Sequence, residues 1–330
     1  MPADADGDRY VSTGDLPAPE VVAALVEEAH ARLRDDPAGA PSDVYPALAR
    51  VPPDLFGICV ASTAGTLFKA GDADHPFTIM SVSKPFAFAL VCERLGPEAM
   101  RAKVGVNGTG LPFNSLTAIE RSADGRTNPM VNAGAIATTS LAEGDSLEER
   151  WRTLRDGLSA FAGRDLHLDD DVLASARATN ARNQGMARLL DSYGRLYADP
   201  AEAVELYTRQ CSLNVTATDL AVMGATLADG GVNPITQRRV VSPVVCHHTL
   251  AVMLTAGLYE TSGDWLYDVG LPAKSGIGGG IVTVSPGKGG MGTFAPRLDA
   301  AGNSVKGQRV ARLLSERLGM DLLSSAAARR

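Results

Sequence analysis

Strand patterning sits at the two ends of this 330-residue chain, and the long middle reads as helix. Near the start, Phe56 to Ser62 and Thr66 to Lys69 read as two strands joined by a tight turn at Ala64-Gly65. Near the end, Ala273 to Ser285 and Gly290 to Ala295 flank Pro286-Gly287-Lys288-Gly289, a second hairpin signal. Between them, Ser146-Leu147-Glu148-Glu149 has capping-box spacing ahead of Trp151, Leu154 and Leu158. Thr218 reads as the N-cap of a helix running through Leu227, which Gly230-Gly231 ends. Strands so far apart in sequence can share hydrogen bonds only if both chain ends meet in one antiparallel sheet with a helical region inserted. That is an α+β class rather than an alternating one.

Two further helices bracket this arrangement. Val21, Val22, Leu25, Ala29 and Leu33 recur at helical spacing after Pro19, and a terminal helix runs from about Val305 to Leu318. Residues 1–18, rich in Asp, Gly, Ala and Pro without an apolar period, read as a mobile tail. Residues 19–330 then read as a single domain with its helical subregion over about 95–260, since no internal repeat and no long linker divides them.

Composition narrows the function. A hydrophobic fraction of 45% with 21% charged residues is that of a globular protein. The formal net charge of -7, without a dense Lys/Arg cluster, lacks the basic footprint that nucleic acid requires. The acidic start and the lack of a long apolar run argue against export and membrane spanning, so the expected compartment is the cytoplasm. Cys59, Cys92, Cys211 and Cys246 are scattered as reduced thiols would be. Cys246-His247-His248 has no second Cys/His cluster to complete a tetrahedral shell, so no metal is expected. Gly287-Lys288 is followed by glycine where a phosphate loop needs Ser or Thr, and no other cofactor signature is present.

The chemistry is concentrated in Ser81-Val82-Ser83-Lys84-Pro85. Proline is tolerated only in the first helical turn, which places a helix start near Ser81 and Lys84 one turn beyond it. A serine hydroxyl attacks poorly until a base takes its proton, and a lysine can serve if burial lowers its pKa. Phe77, Ile79, Phe86 and Phe88 offer that burial. The free N–H groups of a helix start would also favour negative charge on an attacked carbonyl. Lys274-Ser275-Gly276 opens a Gly-rich strand from Gly276 to Val284 and matches the K-[ST]-G element that accompanies S-x-x-K in penicillin-recognising serine enzymes. Such a strand supplies positive field for a substrate carboxylate, and its glycines allow close backbone approach.

With these elements placed, residues 20 to 318 resemble the serine-dependent glutaminases, whose fold is β-lactamase-like, akin to the transpeptidases. The resemblance rests on Tyr45-Pro46, Gly71-Asp72, the Ser81 to Lys84 motif, Pro112-Phe113-Asn114-Ser115, and the run Asn128 to Ile136. It continues through Arg182-Asn183, Gln210-Cys211-Ser212, Gly230 to Pro234, Gly270 to Ile281, and Gly302-Asn303-Ser304. It implies hydrolysis of L-glutamine to L-glutamate and ammonia through an acyl-enzyme on Ser81, with Lys84 as proton acceptor and Tyr259 as acid/base partner. Tyr45, Asn132, Asn183 and Tyr207 would contact substrate, and the backbone N–H groups of Ser81 and Ile277 would form the oxyanion hole. A homodimer or homotetramer is implied as well.

One departure bears on substrate. Where the family pattern reads S-E-x-x-T-x-x-R-N, this chain has Ser175-Ala176 and continues to Thr179 and Arg182-Asn183. The resemblance implies that the missing glutamate binds the substrate's ammonium group, and Asp169, Asp170 and Asp171 are the acids nearest in sequence. Three readings therefore stay open: a glutaminase, an amidase for a related small amide without a free α-amino group, and a ligand-binding member without activity. A β-lactamase or cell-wall transpeptidase fits less well, because those act outside the cytosol.

Overall fold

The computed structural model describes residues 14–324; most of the expected tail, residues 1–13, lies outside them, and 14–18 precede the first helix without regular structure. Seven strands are present among the described residues: β1 (Gly57–Ser62), β2 (Leu67–Gly71), β3 (Phe77–Thr78), β4 (Asn214–Val215), β5 (Ala273–Ser275), β6 (Gly280–Ser285) and β7 (Gly289–Phe294). Five form a sheet in the order β2-β1-β7-β6-β5, with antiparallel pairing throughout. The β1–β7 ladder, which sets Val60 opposite Met291, is the seam where the two chain ends meet. β3 and β4 make a separate two-residue pair beside it.

Each face of the sheet is covered for a readable reason. Helix Ala217–Ala228 lies on β7, and it can do so because β7 carries glycines beneath it. A Cβ on Gly292 would stand 2.0 Å from the Ala217 carbonyl oxygen, and one on Gly290 2.3 Å from that of Ala221. On the opposite face, helices Pro19–Leu33 and Val305–Arg317 bury Val22, Leu25, Val26, Val310, Ala311 and Leu314 against Ile58, Val60, Ile281 and Met291. Of the apolar positions read in the first helix, Val21 instead faces solvent, 43% exposed.

Helices occupy the chain from Lys84 to Val269 around a second core built on Phe86, Phe88, Phe161, Leu206 and Leu220. Ser146 does cap the helix Leu147–Ala162, accepting from the Glu149 N–H while the Glu149 carboxylate accepts from Asp145. The cap of the helix Ala217–Ala228, however, is Thr216 rather than Thr218: Thr216 and Asp219 form a reciprocal capping box, and Thr218 donates its hydroxyl hydrogen to Asp74. The Gly-rich segment also departs from expectation. Instead of one strand from Ala273 to Ser285, it breaks at Gly276–Gly279, where the Gly276 N–H donates to Gly280 and Gly279 has φ +95°. Glycine permits that turn, and the turn folds β5 back beside β6. No helix of the described residues is long and apolar enough to cross a membrane.

Candidate active site

Pro85 sets the local geometry at the serine. The α-helix begins at Lys84, with Pro85 second in it, and Ser81 lies just ahead in a 3₁₀ turn from Met80 to Ser83. The turn is strained at its entry: Met80 has φ +47°, a conformation that costs a non-glycine residue about 1–3 kcal/mol. Tyr259, at φ +58°, shares this left-handed state. Of the three non-glycine residues with positive φ among the described residues, two thus stand beside Ser81, and local energetics alone would not place them there. The turn is pinned from within, as the Ser83 hydroxyl donates to the Met80 carbonyl at 2.7 Å and accepts from Gln210 at 2.9 Å.

The β5–β6 turn closes over this serine. A Cβ on Gly276 would lie 3.2 Å from the Ser81 amide nitrogen, and one on Gly278 only 2.4 Å from the Thr78 carbonyl oxygen. Ile277 sits between these glycines and faces the same narrow cavity as Ser81, of about 90 Å³. Tyr45, Asn132, Asn183 and Tyr207 line that cavity too. Lys84, Tyr259, Lys274 and Ser275 stand behind its wall, and hydrogen bonds join them to it.

Those bonds form two groups. The Lys84 amine, 1% exposed, donates to Asn132 Oδ1 at 2.8 Å and to the Met130 carbonyl at 3.3 Å. Asn132 Oδ1 also accepts from the Tyr207 hydroxyl at 3.0 Å, while Asn132 Nδ2 donates to Asn183 Oδ1 at 3.1 Å. In the second group, the Tyr259 hydroxyl donates to the Ser275 carbonyl at 3.1 Å, and Ser81 lies near enough to favour its phenolate. With its own hydrogen committed to Ser275, the phenol oxygen is placed to accept from the serine. The Lys274 amine donates to the Gly257 and Ser275 carbonyls, both at 2.8 Å, and lies 4.0 Å from the Tyr259 ring centroid. The Ser275 hydroxyl donates to Asn303, which ties β5 to the loop before the last helix. The phenol that interacts with Ser81 is thus that of Tyr259, and the amine of Lys84 is anchored on Asn132.

Burial governs the electrostatics. It drives the Lys84 pKa down to about 7, against a weak opposing effect of Cys211, so a large share of the amine is neutral near physiological pH. Burial, and then the proximity of Lys84, push Lys274 well below the usual lysine value. Tyr259 is raised to about 12 by burial, although its bonds to Ser81 and Ser275 work the other way. Tyr45 is raised to about 12, and Tyr207 well above its ordinary value, both chiefly by burial. The arrangement thus offers an amine that is readily neutral, protonated phenols and a serine beside one of them.

Ala176 is buried on the helix Asp170–Thr179 and brings no polar atom to the cavity. Nor do the nearby aspartates replace one: Asp169 caps that helix through the Val172 N–H at 2.9 Å, and Asp170 and Asp171 are exposed. Other residues at the site carried no signal as single positions. Phe113 lines the cavity and packs against Tyr259 with the rings tilted and their centroids 4.6 Å apart, while its carbonyl holds the Asn132 N–H at 2.8 Å. Cys211 also lines it, in contact with Tyr207 and Ser83, whereas the sequence suggested a plain core or surface thiol. Its place one helical turn after Tyr207 was the available clue.

A serine on a strained turn, a lysine three residues later and a K-S-G strand against them define a β-lactamase-like, serine–lysine class of fold and site. Comparison with known proteins narrows the class. The glutaminase family model matches residues 39–323. The chain is 66% identical over 316 residues to Glutaminase 2 of Yersinia pestis, covering 96% of this chain and 93% of that one. Among solved structures, it is similar to the probable glutaminase YbaS, with TM-score 0.92 and 42% identity over 93% of this chain and all of that one. It is also similar to Mglu in its glutamate form, with TM-score 0.86 and 39% identity over 92% of this chain and 70% of that one. The chain belongs to the glutaminase family.

Proposed function

We propose that this protein hydrolyses L-glutamine to L-glutamate and ammonia through an ester on Ser81. The observation that carries the reading is the convergence, around one cavity, of Ser81 on its strained turn, the Tyr259 phenol that interacts with it, and the buried Lys84 with a pKa of about 7. The solved relative in a glutamate form, the product of this reaction, supports it.

In this reading Ser81 Oγ attacks the side-chain amide carbon, and its proton passes to neutral Lys84 while Tyr259 holds the oxygen in line. The backbone N–H groups of Ser81 and Ile277 meet the oxyanion. The C–N bond then breaks, and the nitrogen takes the proton from Lys84 and leaves as ammonia. A water attacks the ester with Lys84 again accepting a proton, and Ser81 departs with that proton as glutamate forms. Tyr45, Asn132, Asn183 and Tyr207 contact the substrate from the walls, and Lys274 with Ser275 fixes Tyr259. Every step uses the chain's own residues and water.

We also read residues 19–330 as one catalytic unit acting in the cytoplasm, a reading that the four free cysteines support. Assembly as a homodimer or homotetramer rests on the family resemblance alone. The test is ammonia release from glutamine by the purified protein and by Ser81→Ala. Release by the wild type that disappears in a folded variant supports the proposal; a folded wild type inert at millimolar glutamine refutes it.

A further inference from the structure

The Tyr259 phenol meets Ser81 where two pieces of chain come together. One is the 3₁₀ turn Tyr259–Thr261 that carries it, and the other is β5, whose Ser275 carbonyl accepts its hydrogen at 3.1 Å. The turn is not relaxed, because Tyr259 has φ +58°. Ser262 braces it from within, donating to the Tyr259 carbonyl at 2.8 Å and accepting from the Leu258 N–H at 3.0 Å. Ahead of the phenol, β5 is tied to Gly257 by the Lys274 amine at 2.8 Å and the Ser275 N–H at 3.4 Å. Something must also close the far side, at Thr261.

That group is Asn303, on the loop before the helix Val305–Arg317. It is fully buried, at 0% exposure, and is not among the residues lining the Ser81 cavity. Its carboxamide spans the two pieces: Oδ1 accepts from the Ser275 hydroxyl, and Nδ2 donates to Thr261 Oγ1 at 3.0 Å. Thr261 sets the orientation of the amide. The threonine's own hydrogen goes to the Leu258 carbonyl at 2.8 Å, so its oxygen can only accept from Asn303.

The loop is rigid enough to serve as an anchor. Asp299 Oδ1 accepts from the Ala301 and Asn303 N–H groups at 2.9 and 3.0 Å, and the Asn303 carbonyl accepts from the Asp299 N–H at 2.9 Å. Gln308 of the last helix donates to the other oxygen of Asp299 at 2.8 Å. Beside Asn303, Gly302 has φ +93° and packs so closely that an added Cβ would stand 3.3 Å from Ile277 Cγ2 and 3.9 Å from Tyr259 Cε2.

We propose that Asn303 is a positioning residue of the hydrolase: without touching substrate, it locks Thr261 to Ser275 and so aims the Tyr259 phenol at Ser81. The inference rests on the serine amide-hydrolase reading above and adds a residue to it. Leucine at this position keeps the volume of the side chain and drops both of its hydrogen bonds, leaving the buried Ser275 hydroxyl without its acceptor.

The test measures ammonia release from glutamine by the wild type, Asn303→Leu, Tyr259→Phe and the double variant. Alongside it, peptide mass reads the rate and extent of Ser81 labelling by a diazoketone analogue of glutamine. The expected result for Asn303→Leu is a kcat lowered about ten- to a hundred-fold with KM within about two-fold of the wild type, and labelling that is slow but complete. In the Tyr259→Phe background the same substitution should lower kcat by less than about two-fold, because the group it aims is gone. Ser275→Ala keeps the carbonyl that binds the phenol and removes only the hydroxyl on Asn303, so it should reproduce part of the effect and stands in where Asn303→Leu does not fold. A kcat within about two-fold of the wild type in both variants, incomplete labelling that accounts for the loss, or full multiplication of the two effects in the double variant overturns the inference and leaves the amide-hydrolase reading standing. Where Tyr259→Phe has no measurable rate, the split between rate and extent of labelling decides. A folded wild type that releases no ammonia defeats that reading instead.

Discussion

Replacing Lys84 by arginine asks whether the site works because its lysine can be neutral. The amine lies in a wall that leaves it 1% exposed, and burial brings its pKa from 10.5 to about 7. That lowering corresponds to about 5 kcal/mol of penalty on the charged form. At pH 7 an unperturbed lysine is roughly 0.03% neutral, whereas one with a pKa near 7 is about half neutral, so burial multiplies the available base roughly a thousand-fold. Arginine keeps the positive charge and most of the length but does not deprotonate at any working pH. Lys84→Arg should therefore lower kcat/KM for ammonia release by about 10³ at pH 7. The wild-type profile should rise as pH passes through about 7, because the neutral amine is the active form, and that limb should vanish in the variant. Circular dichroism and the thermal midpoint check that the variant is folded. A folded Lys84→Arg protein with more than a tenth of wild-type activity, or a wild-type limb near 10, would refute the reasoning.

Asn132→Asp puts a carboxylate 2.8 Å from the Lys84 amine, which should raise the lysine pKa by roughly 1–3 units and carry the activity limb upward in a pH–rate profile. Because the folded state binds fewer protons at Lys84 than the unfolded state between pH 7 and 10.5, its contribution to stability grows with pH across that window and is at its lowest below it. Denaturant titrations of Lys84→Met should accordingly show a flatter dependence on pH than the wild type. Gly278→Ala would drive a Cβ to 2.4 Å from the Thr78 carbonyl, so the turn over Ser81 must shift; we expect kcat to fall and stability to drop by about 1–3 kcal/mol on chemical unfolding. Arg164→Ala removes the partner of Asp219, whose carboxylate is only 7% exposed and closes the capping box of the helix on β7. It should cost about 1–3 kcal/mol in unfolding measurements without changing KM.

The sheet and the nucleophile were legible because each leaves a local mark. Pro85 fixes a helix start whatever surrounds it, and turn glycines between apolar runs announce hairpins from either end of the chain. Register between the ends was not legible, since β1 and β7 choose each other through packing and not through any pattern inside either strand. Thr216 and Thr218 both precede an apolar helix, so position alone does not choose between them; what decides is that Asp219 stands three residues after Thr216 and can return the hydrogen bond. The break at Gly276–Gly279 was hidden for a related reason. Glycines in a strand-like run signal either close approach or a turn, and here Gly278 does the first while Gly279 does the second. Phe113 and Cys211 reach the cavity through tertiary contacts that spacing alone does not encode.

Elsewhere the protein treats buried charge in the ordinary way, as where the nearly buried carboxylate of Asp219 meets Arg164 at 2.6 Å. At the cavity, two of the most deeply buried lysines are instead held on carbonyl oxygens: Asn132 and Met130 for one, Gly257 and Ser275 for the other. A carbonyl accepts a hydrogen bond from an amine without requiring it to be charged, whereas a carboxylate in the same place would hold the ammonium form and remove the base. The lack of acid around Lys84 is therefore a condition for its proposed role. A glutamate at position 176 would have to lie close enough to meet the substrate yet far enough from Lys84 to leave its pKa low. Measuring the pH limb alongside glutamine turnover in Ala176→Glu separates the two effects: a gain in turnover with the limb still near 7 means that the fold insulates the base from position 176, and a limb that climbs means that one field serves both.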